Sequence, residues 1–184
     1  MGNFELPSII AETGTSVAAV STDPVEGTSG IADRLSAERE IRRRLLDYCR
    51  GIDTCDVGLV ASVYHLDSFD DHGSFQGSGH DFARYATAAL RERYEATQHT
   101  IGDSAFDWMD DGTVATETYV QAQHLGRDDD GHYLEWFAGV YVDLFELRDG
   151  SWRIAKRRLL HTWDKIERID LCFEPGRFTD RTRV

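Results

Sequence analysis

An α+β fold, three helices packed on a curved, mostly antiparallel sheet that encloses a pocket, is predicted by three features of this 184-residue chain. Apolar residues recur at helical spacing up to about residue 93, and after His99 the period changes from 3.6 to 2. Asp111-Gly112, Asp130-Gly131 and Asp149-Gly150 then punctuate segments rich in Val, Thr, Tyr, Trp and Phe, the pattern of sequential antiparallel hairpins. Finally, Trp136-Phe137-Ala138-Gly139-Val140-Tyr141-Val142 is apolar at consecutive positions. Both faces of such a sheet should be covered, one by the helices and one by another subunit.

In order along the chain, residues 1–31 read as a flexible arm, because Gly, Ser, Thr and Pro dominate from Pro7 to Gly30. No Lys or Arg precedes Arg34 and no long apolar run occurs there, so no ordinary signal or transit peptide is expected. Met1-Gly2 opens like a myristoylation site, but Leu6 stands where Ser or Thr is required. One domain follows over residues 32–170, with a tail at 171–184. Its first helix spans 33–52, with Asp33 or Ser36 as candidate cap, a buried stripe of Ile41, Leu45, Tyr48 and Ile52, and Arg42-Arg43-Arg44 toward solvent. Asp56 caps a second short helix through Val63 or Tyr64. Residues 68–77 read as one short strand between turn residues, and 79–93 as a third helix carrying Phe82, Tyr85, Ala86, Ala89 and Leu90 at helical spacing. Strands are expected at 98–109, 113–125, 132–147 and 151–163, and Asp128-Asp129-Asp130 reads as a solvated loop.

Composition narrows the function. At this length one core should bury roughly 70% of the unfolded surface. A net charge of -13 and a pI near 4.8 argue against nucleic acid or an anionic membrane as partner, since both would repel the surface. Nor does any segment approach membrane-spanning length. Cys49, Cys55 and Cys172 are odd in number and lack a Cys-x-x-Cys, which suits reduced thiols in a cytoplasm rather than disulfides or a thiolate zinc site. His65, His72, His80, His132 and His161 follow no metal-binding spacing, so no metal site is expected. Serine nucleophile elbows and glycine-rich phosphate loops are absent.

Asp53 falls just off the buried stripe, in line with Leu46 and Cys49. A carboxylate there needs a donor, because burying it unpaired costs several kcal/mol or neutralises it. The same residue also reads as a turn former or as the cap of the next helix. His99, in phase with Ile101 at the start of the first long strand, is the candidate partner. A carboxylate beside its ring would make the imidazole a better base, whereas a lone strand histidine is more often a hydrogen-bonded core residue. His124, in phase with Val120 and Ala122, reads equally as inward or as exposed at a strand end. Tyr48, Tyr141 and Arg157 are inward candidates able to polarise a carbonyl or a leaving group; aromatic core and surface guanidinium are their plainer readings. His72, Phe75 and Tyr141 are taken as candidate substrate contacts.

Tyr48-x-x-Gly51-Ile52-Asp53-x-x-Asp56, Gln98-His99-x-Ile101-Gly102 and Asp149-Gly150-Ser151-Trp152-Arg153-Ile154 together resemble the SnoaL-like branch of the NTF2-like superfamily, over roughly residues 32–164. Within it the chain is similar to scytalone dehydratase, the bile acid 7α-dehydratases and hexachlorocyclohexane dehydrochlorinase. The resemblance implies a cone-shaped barrel, a homotrimer built through the sheet with a dimer as the alternative, and no metal or organic cofactor. It implies a dehydratase-type lyase acting on a small hydrophobic cyclic substrate, with His99 as base and Asp53 as its orienting partner. By the same resemblance His124 fits a second active-site histidine, Tyr48 the tyrosine of the bile acid enzymes, and Arg157 the arginine of those enzymes and the dehydrochlorinase. Tyr141 stands where scytalone dehydratase has an asparagine and His72 where it has a tyrosine, so the substrate stays open. A polyketide-type cyclase or steroid isomerase would need the same proton abstraction without a leaving group. A non-catalytic small-molecule-binding module is the reading from another class.

Overall fold

The computed structural model describes residues 28–173 and 175. Most of the expected arm and of the expected tail, residues 1–27, 174 and 176–184, lie outside the described residues. The elements run α1 (Thr28–Asp53), α2 (Val57–Ser62), β1 (Tyr64–Asp71), β2 (Gln76–Gly77), α3 (Gly79–Arg93), β3 (Ala96–Trp108), β4 (Val114–Asp128), β5 (Gly131–Arg148) and β6 (Ser151–Arg168).

Helix α1 passes straight through Asp33 and Ser36, so neither caps it. Its stripe of Ile41, Leu45, Tyr48 and Ile52 is buried, as its spacing predicts. Pairs at i,i+4, Glu38 with Arg42 and Glu40 with Arg44, support its outer side. Arg44 departs from the solvent role expected of it. Its Nε donates to the Trp152 carbonyl at 3.1 Å, while Glu40 accepts from the Trp152 N–H at 3.1 Å, which ties the helix to the start of β6. Asp56 caps α2 by accepting from the Leu59 N–H. At Gly51 the two helices come so close that a Cβ would sit 2.7 Å from Val60 Cγ2 and 2.9 Å from its backbone nitrogen.

The predicted single strand at 68–77 is instead a hairpin, β1 and β2, turning at Gly73, whose φ of 75° only glycine adopts freely. Helix α2 ends on Val63 as its C-cap, whereas Tyr64 already belongs to β1, and the Val63 carbonyl accepts the Ile154 N–H of β6. Sheet pairing overrides the local helical tendency there. The sheet runs β2-β1-β6-β5-β4-β3, with β1 parallel to β6 and every other pair antiparallel. It is therefore a meander with its first hairpin returned to the side of its last strand. It curves without closing, so β2 and β3 remain as edges.

Of the three Asp-Gly turns, only Asp149-Gly150 is a two-residue loop with both φ positive (52° and 72°), the type I′ geometry. Trp108 pairs with Val114 across a longer loop, and Asp128 pairs with Gly131, so Asp129-Asp130 forms the β4–β5 turn. On β5 the alternation resolves the apolar run. Tyr141, Asp143 and Phe145 are buried toward the helices, whereas Val140, Val142 and Leu144 are half-buried on the opposite face. Tyr119, Leu160, Trp163 and Ile166 are exposed. Among the described residues no helix is long and apolar enough to cross a membrane.

Candidate functional site

Between the helices and the sheet lies a cavity of about 250 Å³. Tyr48 from α1, Phe82 from α3, His99 from β3, His124 from β4 and Tyr141 from β5 line it, with His72 from the turn after β1. β1 and β3 are separated in the sheet by three strands, so it is the sheet's curvature that gives His72 and His99 a common cavity.

Asp53, the last residue of α1, accepts from His99 Nδ1 at 2.8 Å, from the His99 N–H at 3.0 Å and from Thr97 Oγ1 at 3.2 Å. Both side chains are about nine-tenths buried, with exposures of 10% for His99 and 9% for Asp53. In the neutral ring, the tautomer that directs Nδ1–H at the carboxylate leaves the lone pair on Nε2. Asp53 itself does not line the cavity; it orients the residue that does.

His124 points inward, settling the choice its position in the sequence left open. Its ring stacks on Tyr94 (centroids 4.8 Å apart) and meets His99 edge-on at 5.5 Å. Burial first, and then the neighbouring His99, push its pKa down to about 4, so it is neutral at ordinary pH. Its Nδ1 is buried without a hydrogen-bond partner among the described residues. Beside it, Tyr94 donates to Glu135 Oε2 at 2.7 Å, and Arg93 lies 3.9 Å from the same oxygen.

Arg157 is not at the surface and does not line the cavity. Its Nε and Nη2 each donate to a different carboxylate oxygen of the directly opposite Asp143, both at 2.7 Å. The guanidinium carbon lies 4.4 Å from the Tyr48 ring centroid and 4.1 Å from that of Tyr141, so its influence reaches the cavity through those rings. Burial raises the Asp143 carboxyl from its ordinary value, opposed by the paired guanidinium. Phe75 also stands behind the lining, packed on the rings of Phe82 and Tyr85. Cys49 is inert, its thiol pushed up to about 12 by burial.

His72 is more than a contact. Its Nδ1 is hydrogen-bonded to Asp70 Oδ1, its Nε2 lies 3.2 Å from the Tyr48 hydroxyl, and its ring stacks on Phe82 at 4.0 Å. Asp70 is fully buried and also accepts from Tyr64 Oη at 2.6 Å. Burial drives the Tyr48 hydroxyl well above the usual tyrosine pKa, so that group stays protonated. Sequence reasoning missed Asp70, Asp143, Tyr94 and Glu135. A signal existed for the first: Asp70-x-His72 at strand period places both on one face. Among the described residues no group of three or more His, Cys, Asp or Glu is arranged to hold a metal ion.

A Novosphingobium aromaticivorans protein assigned provisionally as a scytalone dehydratase superposes with a TM-score of 0.65 at 20% identity, over 80% of this chain and 98% of its own. A type 2 hexachlorocyclohexane dehydrochlorinase gives 0.68 at 23%, over 79% and 99%. A Mycobacterium tuberculosis protein of unknown function gives 0.61 at 23%, over 74% and 78%. At such identities the likeness is one of fold. The comparison with curated proteins finds no match. The profile of the SnoaL-like domain matches residues 33–158, and by that match the chain belongs to the SnoaL-like family of the NTF2-like fold.

Proposed function

We propose that this chain is a cofactor-independent lyase of the dehydratase type, which takes a carbon-bound proton from a small hydrophobic cyclic substrate and expels a neighbouring group. The observation that carries this reading is the Asp53–His99 pair, hydrogen-bonded at 2.8 Å with the imidazole on the cavity wall. Membership of a family whose structural relatives include a dehydrochlorinase supports it. In this reading His99 Nε2 takes the proton, and Asp53 holds the tautomer and stabilises the imidazolium. Tyr48 with the neutral His124 stabilises the enolate or protonates the departing hydroxyl. Arg157 positions the Tyr48 and Tyr141 rings from behind. A buried cavity of about 150 Å³ takes up benzene, so 250 Å³ has room for one or two fused rings.

The outer face of the sheet, with Tyr119, Leu160 and Trp163 exposed, suits contact with further copies of the chain, a trimer or a dimer. Three unpaired cysteines suit a reducing cytoplasm.

The test is incubation with one- and two-ring cyclic β-hydroxy ketones, read by mass spectrometry. Elimination loses the mass of water, whereas isomerisation leaves the mass unchanged. His99→Gln should lower turnover by about 10²–10⁴-fold while the fold is kept. A variant that turns over as fast as the parent would refute the assignment of the base.

A further inference from the structure

The cavity holds a second carboxylate–imidazole pair that the abstraction of a proton does not use. Like the first, it ties Nδ1 of a histidine to a buried carboxylate, Asp70, and leaves Nε2 free for another group. That other group is the Tyr48 hydroxyl, 3.2 Å away, and both Tyr48 and His72 line the cavity. Stacking on Phe82 fixes the ring plane, and the Tyr64 hydroxyl holds the second oxygen of Asp70. Asp70, His72 and Tyr48 therefore form a chain that starts at a buried carboxyl group and ends at a hydroxyl on the cavity wall.

We propose that this chain is the acid arm of the site: Tyr48 gives its proton to a departing hydroxyl group, and His72, held by Asp70, replaces it, so the substrate carries a hydroxyl rather than a halide as leaving group. The inference rests on the lyase reading above. The C–H proton goes to His99, and its bonding pair becomes the new carbon–carbon π bond. The C–O bond breaks with its pair on oxygen, which takes the Tyr48 proton and leaves as water. His72 passes Nε2–H to the Tyr48 oxygen, and solvent then resets both histidines. Hydroxide is a poor leaving group and needs this proton, whereas chloride leaves without one. The burial of Tyr48 adds a reason for the relay, because a tyrosinate formed there without simultaneous reprotonation would be costly.

The test compares 3-hydroxycyclohexanone with its acetate ester, whose leaving group needs no proton. The parent should eliminate both. His72→Gln and Asp70→Asn should each lose about 10²-fold on the alcohol and stay within about threefold on the ester, which also shows that the variants are folded. His99→Gln should lose both activities. Equal losses on alcohol and ester in His72→Gln would overturn the acid arm alone. Failure of the parent on both compounds, or parent rates in His99→Gln, would overturn the lyase reading and this inference with it. As a measurement that needs no turnover, ¹H spectra of the resting parent should show a far-downfield signal for the proton between His72 Nδ1 and Asp70 that disappears in Asp70→Asn. Its absence from the parent would overturn the proposal.

Discussion

Arg157→Met removes the guanidinium while keeping much of the side chain's length, and Asp143 is then left as a buried carboxylate without its partner. Breaking a buried pair from one side typically costs about 3–5 kcal/mol, and a domain of this size loses about 2–4 °C of melting temperature per kcal/mol. The variant should therefore melt roughly 6–20 °C below the parent. The deficit should also depend on pH, in a direction the structure sets. Burial already raises the Asp143 carboxyl, and without the guanidinium nothing opposes it. A carboxyl whose folded pKa lies above its unfolded value binds more protons folded than unfolded, so it favours the folded state below the unfolded pKa and loses that effect as pH rises. The deficit of Arg157→Met should thus be largest near neutrality and shrink toward pH ~4. Urea unfolding followed by tryptophan fluorescence at a series of pH values measures it. The double variant Arg157→Met/Asp143→Leu should recover most of the loss, since an apolar pair replaces the charged one. A single variant as stable as the parent, or a deficit flat in pH, would refute the reasoning.

His124→Gln should remove a pH dependence. Folded His124, with its pKa near 4, refuses a proton that the unfolded chain accepts near 6.5. The parent should therefore lose stability as pH falls through that window, by about 3 kcal/mol at most, and the variant should not. Equal slopes in chemical unfolding would refute it. Asp53→Asn puts an amide where three donors converge, so single-turnover rates should fall by about 10²-fold or more while kcat loses its dependence on an imidazole poised by charge. Gly51→Ala drives a methyl group into Val60, including its backbone nitrogen, and should cost about 1–3 kcal/mol in thermal unfolding.

The parts legible in the sequence were those set by local periodicity and by the cost of burying charge. The α1 stripe and the four long strands follow from spacing, and Asp53 drew attention because a carboxylate beside that stripe needs a donor. What escaped depends on register between distant strands. Asp143 meets Arg157 only because β5 and β6 align those residues, and no spacing within either strand encodes it. The same holds for β1, whose parallel place beside β6 joins strands far apart in the chain. His72 reads only as a contact in the sequence because the resemblance sets it where scytalone dehydratase has a tyrosine, and strand spacing alone does not announce its bond to Asp70.

Strand β3 is the outermost on its side of an open sheet, and an outward backbone N–H on such a strand is a template for a foreign strand. At residue 99 that donor is already engaged, since both Asp53 oxygens accept it, at 3.0 and 3.1 Å. One carboxylate thus aims a ring inward and blunts an edge outward. Loss of Asp53 to alanine should accordingly show up as fibrillar or sticky behaviour in storage as well as in lost turnover, linking colloidal quality and chemistry through a single side chain.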